Sequence, residues 1–184
     1  MPLTKDEMRK NIKALIANGA ITREISQAVC QNILSLNESN RAKNVMGFMP
    51  KNDEIDITFV LDAILQSGKT LFLPKCEENG KMTAFAVANL EVLKKGAFGI
   101  LEPPDFLEKE EKKNIEICLV PCVACDEKGN RLGRGKGYYD RFLKDTAFTK
   151  ILVCGEFALQ KYIKTEPFDE KCDIIVTEKR IIRL

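Results

Sequence analysis

At 184 residues the chain is long enough for one domain with a substantial core, and its 45% apolar and 30% charged content is that of an ordinary globular protein. A formal charge of +2 gives no sign of the strongly basic face that general nucleic-acid binding needs, the basic excess being local, and no apolar run reaches membrane-spanning length. With no histidine, serine–histidine and cysteine–histidine nucleophiles and histidine-ligated zinc are excluded, which favours chemistry by charge neutralisation and alignment.

In chain order, Thr4 and Glu7 read as the capping box of a first helix, with Met8, Ile12, Leu15 and Ile16 as its apolar stripe and Gly19 near its end. Lys5, Arg9 and Lys13 share another face, where like charges cost roughly 0.2–0.5 kcal/mol per pair. By pattern alone a solvated face is the simpler reading. A second helix is expected from Thr22 to about Leu36, burying Ile25, Val29, Ile33 and Leu36. A strand from Val45 to Met49 stops at Pro50. A helix capped by Asp56 follows, with Ile57, Val60, Leu61, Ile64 and Leu65 inward and Gly68 at its end. Thr70 to Leu73 is a second strand ended by a proline, and Met82 to Val87 a third. Leu90 to Leu93 reads as a helical turn, Gly96 to Pro104 as a loop, and the charged run from Glu108 to Lys113 as a solvated connection. Ile115 to Val120 is a buried strand ending at Pro121. A helix with Tyr139, Phe142 and Leu143 inward comes next, then strands at Ile151 to Cys154 and Ile174 to Thr177. The strand–helix rhythm predicts an α/β fold with a parallel sheet and helices on its faces.

The most informative stretch is Gly129 to Arg141, GNRLGRGKGYYDR. Its glycines let the backbone approach a ligand closely, and its basic side chains and the helix N-terminus beyond suit an anion such as phosphate. Neither common phosphate loop fits. Gly129 precedes Gly135-Lys136 by one residue too many for a Walker A loop, and Gly137 stands where a hydroxyl is required. Tyr138 replaces the last glycine of the dinucleotide fingerprint. Asp140 is either a dipole-complementing acid or a Mg²⁺ ligand, and Asp173 is equally open. Seven cysteines without a secretory signal argue for reduced thiols and a cytoplasmic protein. Cys118, Cys122 and Cys125 have a spacing seen in iron–sulfur sites, but Cys118 lies inside the apolar strand ICLVP, and small core residues are the simpler reading.

The segment VPCVACDEKGNRLGRGKGYYDRFL resembles the signature of the 5-formyltetrahydrofolate cyclo-ligases. Weaker matches run in order along almost the whole chain: Lys5 and Arg9, the Met49-to-Glu54 segment, FGILEP at Phe98 to Pro103, and DIIVT at Asp173 to Thr177. The resemblance implies a single three-layer α/β/α domain with a mostly parallel central sheet, spanning residues 1–184. It implies ATP-dependent cyclisation of 5-formyltetrahydrofolate to 5,10-methenyltetrahydrofolate, with ATP as co-substrate and Mg²⁺ as cofactor. Lys5, Arg9 and the run Arg131, Leu132, Gly133, Arg134, Gly135, Lys136, Gly137, Tyr138 and Tyr139 would hold ATP. Met49, Glu54 and Phe98 would line the folate site with Arg134 to Tyr138. Arg134, Lys136 and Tyr138 would be catalytic, and Asp140 and Asp173 would bind the metal. The expected partners are these small molecules alone, with no nucleic acid or membrane, acting on a monomer. The family usually has glycine at Cys122 and phenylalanine at Cys125, and a histidine near the region of Phe168 and Asp169. Two alternatives stand beside this reading. One is an RNA-binding module using the Arg/Gly/Tyr loop, and the other is a different phosphate-handling enzyme on a similar scaffold.

Overall fold

The apolar residues of the central strands point alternately to two covered faces, which is the pattern of a sheet buried on both sides. In the computed structural model, which describes residues 3–77, 80–96, 99–107, 109–110 and 112–184, five parallel strands form the centre. They are β1 (Asn44–Met46), β2 (Thr70–Cys76), β7 (Ile117–Pro121), β10 (Thr149–Val153) and β12 (Ile174–Val176). The full order is β13-β12-β10-β7-β1-β2-β3-β6, with β3 (Met82–Val87), β6 (Lys109–Glu110) and β13 (Ile181–Arg183) antiparallel at the margins. Val45, Leu71, Ile117, Leu119 and Ile151 face one core, while Met46, Phe72, Cys118, Val120 and Leu152 face the other.

Helices α2 (Arg23–Ser35) and α4 (Thr58–Gln66) cover the first core, and α1 (Lys5–Ala17) and α5 (Tyr138–Leu143) the second. The capping box of α1 forms as expected, Glu7 N–H donating to Thr4 Oγ1 at 3.2 Å and Thr4 N–H to Glu7 Oε2 at 2.8 Å. Asp56 caps α4 from two positions before its formal start, its Oδ1 accepting from Thr58 N at 2.9 Å. A short α3 (Asn37–Arg41), which no periodicity announced, leads into β1.

Three expectations are corrected. β1 ends at Met46, three residues before Met49, although Gly47 N still donates to Phe72 O at 2.9 Å. β2 runs through Pro74 to Cys76. Beyond Phe72 it pairs only with β3, and a proline is tolerated where one side of a strand carries no ladder. The charged run after residue 108 contains β6, paired to β3 at the sheet edge, where charge discourages further pairing.

A small sheet holds the remaining pieces in register: β8 (Ala124–Asp126), β9 (Arg131–Leu132) and β11 (Leu159–Gln160). The buried Asp126 carboxylate organises the β8–β9 turn. It accepts from Lys128 N (3.0 Å), Asn130 N (3.1 Å), Asn130 Nδ2 (2.9 Å) and Ile163 N (3.0 Å). Two short antiparallel strands, β4 (Lys94–Lys95) and β5 (Leu101–Glu102), flank the main sheet. Among the described residues, no helix is long and apolar enough to cross a membrane.

Candidate active site

The chain direction across the sheet reverses between β1 and β7: β1 leads through α4 to β2 on one side, while β7 lies on the other. Open α/β sheets hold ligands beyond the C-terminal ends of strands at such a point. A cleft of about 500 Å³ opens there. Phe48 and Met49 beyond β1, Pro74 and Cys76 in β2, and Pro121 and Cys122 at the end of β7 give it an apolar wall, joined by Met82, Ile100 and Leu101. The opposite wall is the chain from Arg131 to Arg141, with Lys5 and Arg9 of α1 beside it.

That second wall is densely cationic because its alternate glycines make room for guanidinium groups. A Cβ on Gly133 would lie 2.7 Å from Arg131 Nη1, one on Gly137 2.7 Å from Arg141 Nη1, and one on Gly135 3.5 Å from Arg9 Nη2. Gly135 (φ +91°) and Gly137 (φ +67°) also adopt the left-handed conformation that disfavours a side chain. Helix α5 has only six residues, so its dipole adds little and the positive charge comes from side chains.

The cations are held by carboxylates, of which Glu54, Asp140, Glu166 and Asp169 line the same cleft and Asp53 stands beside it. Arg134 Nε and Nη2 donate to Glu54 Oε1 at 3.2 and 2.9 Å, and its Nη1 and Nη2 donate to Asp53 at 3.0 and 2.6 Å. These hydrogen bonds from Arg134 hold the Asp53 carboxyl below its ordinary range. Arg131 Nη2 donates to Asp140 Oδ1 at 2.7 Å, in a pair that is almost wholly buried. Lys5 Nζ donates to Asp169 Oδ2 at 2.8 Å, with Glu166 3.7 Å away. Arg9 Nε donates to Gly133 O at 3.0 Å, which ties α1 to the glycine-rich loop. Lys5 and Arg9 are therefore not on a merely solvated face, whereas Lys13, a turn further on, is exposed.

Among the described residues, two buried donors on this wall, Tyr139 Oη and Arg131 Nε, have no protein acceptor. Burial pushes the Tyr139 phenol well above its usual pKa, so it keeps its proton and remains a donor. Such a donor fits a ligand oxygen.

Of the residues singled out from the sequence, Lys5, Arg9, Met49, Glu54, Arg131 to Tyr139 and Asp140 all line the one cleft. Phe98 lies outside the described residues. Asp173 is not brought to the site. It stands at the N-terminal end of β12, where its carboxylate accepts from Lys150 N at 2.7 Å. The cleft lies at the other end of the parallel strands, about 10 Å along at 3.3 Å per residue, so Asp140 and Asp173 cannot share an ion. Lys75 also turns away: neighbouring residues of a strand face opposite sides, and Lys75 pairs with Asp105 while Pro74 and Cys76 line the cleft. Sequence reasoning did not select Lys51, Glu102, Arg141, Glu166 or Asp169, which also line it. Signals existed for Glu102 in FGILEP, for Lys51 in the Met49-to-Glu54 segment and for Arg141 at the end of the glycine-rich stretch, whereas Glu166 and Asp169 lie where the pattern shows only ordinary surface charge.

The site's chemistry suits magnesium. Asp140 offers one carboxylate into a cleft fit for phosphate, and magnesium usually takes one or two carboxylates plus phosphate oxygens. Comparison with known proteins points the same way as the geometry. The NMR structure of 5,10-methenyltetrahydrofolate synthetase from Aquifex aeolicus superposes with a TM-score of 0.85 at 34% identity, covering 98% of this chain and 93% of that one. A synthetase of the same name from Mycoplasma pneumoniae, 21% identical, shares the fold with a TM-score of 0.75 over 96% of this chain and 99% of its own. The chain is 30% identical to a probable 5-formyltetrahydrofolate cyclo-ligase of Schizosaccharomyces pombe, with 100% of this chain and 99% of that one aligned. The profile of the 5-formyltetrahydrofolate cyclo-ligase family matches residues 3–178, and the chain belongs to that family.

Proposed function

We propose that this protein cyclises 5-formyltetrahydrofolate to 5,10-methenyltetrahydrofolate, using ATP and Mg²⁺ and releasing ADP and phosphate. The observation that carries the reading is the shape of the cleft. A cationic wall suited to a triphosphate faces an apolar wall suited to a pterin ring, and the loop from Arg131 to Tyr139 borders both.

Lys5, Arg9 and Arg131 bind the nucleotide phosphates, and Tyr139 Oη donates to a ligand oxygen. Met49 packs on the folate, while Glu54 accepts hydrogen bonds from the pterin. The formyl oxygen attacks the γ-phosphorus as its bond to ADP breaks. N10 then attacks the activated formyl carbon and loses its proton, and phosphate departs with the formyl oxygen. Transfer of this kind depends on alignment and on neutralising charge. Arg134 and Lys136 neutralise the transferring group, and Tyr138 positions it. Asp140 would hold magnesium, which would supply compensating charge to the phosphates. Arg134 donates to Asp53 and Glu54, so substrate binding exchanges those partners for ligand oxygens.

Mixing the protein with Mg-ATP and 5-formyltetrahydrofolate should give the absorbance of the methenyl product with matching ATP consumption. If neither product nor ATP turnover appeared, the ligase reading would fail, and the loop would need another ligand.

A further inference from the structure

Three cysteines that the proposed reaction does not use converge at the apolar wall, Cys122 on the wall itself and the other two beside it. Cys122 follows β7, Cys125 lies in β8 and Cys154 follows β10, so three separate segments deliver them. Their sulfur atoms all lie within 4.8 Å of one another, and those of Cys125 and Cys154 approach to 3.4 Å. Cys118, whose spacing suggested membership of such a group, is buried in β7 and is not among them. A tetrahedral ion with metal–sulfur bonds of about 2.3 Å spaces its sulfurs about 3.8 Å apart, so shifts of about 1 Å or less complete that geometry.

A second feature offers space for a fourth ligand beside two of the three. A cavity of about 20 Å³ abuts Cys122 and Cys154, with Asp53 and Glu54 also on its wall. One water needs about 10–15 Å³ by the same kind of measure, and polar neighbours to hold it. Arg131, whose Nη1 donates at 3.4 Å to Pro121 O just before Cys122, brings positive charge to the surroundings.

We propose that Cys122, Cys125 and Cys154 form a three-thiolate site for a soft divalent cation of the zinc class, with water from the adjoining cavity as fourth ligand. Thiolate ligands and tetrahedral geometry select such ions over magnesium. On binding, three thiols release their protons to solvent and three metal–sulfur bonds form. The ion ties the β7–β8 turn, which carries part of the cleft wall, to the end of β10. Its role is to brace the fold, and no step of the ligase reaction passes through it.

The test is a titration of the reduced, metal-free full chain with Co²⁺ under anaerobic conditions, followed by Zn²⁺. A thiolate-to-cobalt charge-transfer band should saturate at one equivalent and be bleached by one equivalent of Zn²⁺, and Zn²⁺ should raise the unfolding midpoint. Cys122→Ser, at a half-buried position that tolerates the change, and Cys125→Ser should both lose the band. Cys30→Ser, on the opposite face of the sheet, should keep it. No band in the unaltered protein, or a band of full strength in Cys122→Ser, would overturn the site.

Discussion

Arg134 and Asp140 show how one side chain serves both the resting fold and the proposed reaction. Arg134 is half-exposed and clasps Asp53 and Glu54 from across the cleft. Exposed ion pairs contribute about 0–1 kcal/mol, so Arg134→Ala should barely alter stability. Its loss from the reacting complex removes charge-assisted hydrogen bonds of roughly 1.5–3 kcal/mol each, or about 10- to 150-fold in kcat/KM. Unchanged kinetics would remove it from the site. Asp140 differs because its partner Arg131 is buried. Asp140→Asn keeps an oxygen for Arg131 Nη2, so a stability loss of about 1–3 kcal/mol is expected rather than unfolding. Turnover should collapse, and near-normal turnover at saturating Mg²⁺ would end its assignment as the metal ligand. Thermal unfolding beside steady-state kinetics separates the two effects.

Among the elements, the β8–β9 hairpin matters most, because it launches the glycine-rich wall. Its turn depends on Gly129, whose φ of +78° is left-handed and whose added Cβ would lie 2.5 Å from the Cys172 carbonyl oxygen. Gly68, at the end of α4, has a similar φ of +74° but open space around it. Gly68→Ala should therefore cost about 1–2 kcal/mol, the left-handed penalty alone. Gly129→Ala should cost more, since backbone must move as well, and should weaken nucleotide binding by displacing Arg131. Denaturant midpoints of the two variants provide the comparison. Equal losses would show that the Cys172 contact does not fix the hairpin.

At the scale of the molecule, the clasp between Arg134 and the Asp53–Glu54 turn joins the two walls of the cleft. Because Arg134 holds the folded Asp53 carboxyl below its ordinary value, protonation opposes the clasp. The stabilisation is fully present above the unfolded carboxylate value of about 3.9, and is lost as pH falls through the lower, folded value. Acid titrations of the unaltered protein and Asp53→Asn should thus converge as pH drops below about 3.9. A stability difference that stayed constant with pH would exclude the clasp as its source. Salt should weaken the same contribution, since both partners are partly exposed.

How much of this was readable beforehand depends on whether the signal was local. The capping box of α1, the two-faced burial of β7 and the glycine-rich loop depend on residues close in the chain, so spacing alone revealed them. The family and its mixed α/β architecture followed from one long motif and the strand–helix rhythm. Partners distant in sequence were not available to such reasoning. Asp173 sits beside a conspicuous strand, but only the parallel register of β10 and β12 shows that it occupies the end of the sheet away from the cleft. Cys154 carries no spacing relation to Cys122 and Cys125, and only adjacent β7 and β10 bring the three sulfurs together. The sequence by itself determined which chemistry was possible: no histidine, abundant guanidinium groups and one phosphate-sized loop. The tertiary structure decided which charges meet, because pairings between walls arise from strand order and register, which no local pattern encodes.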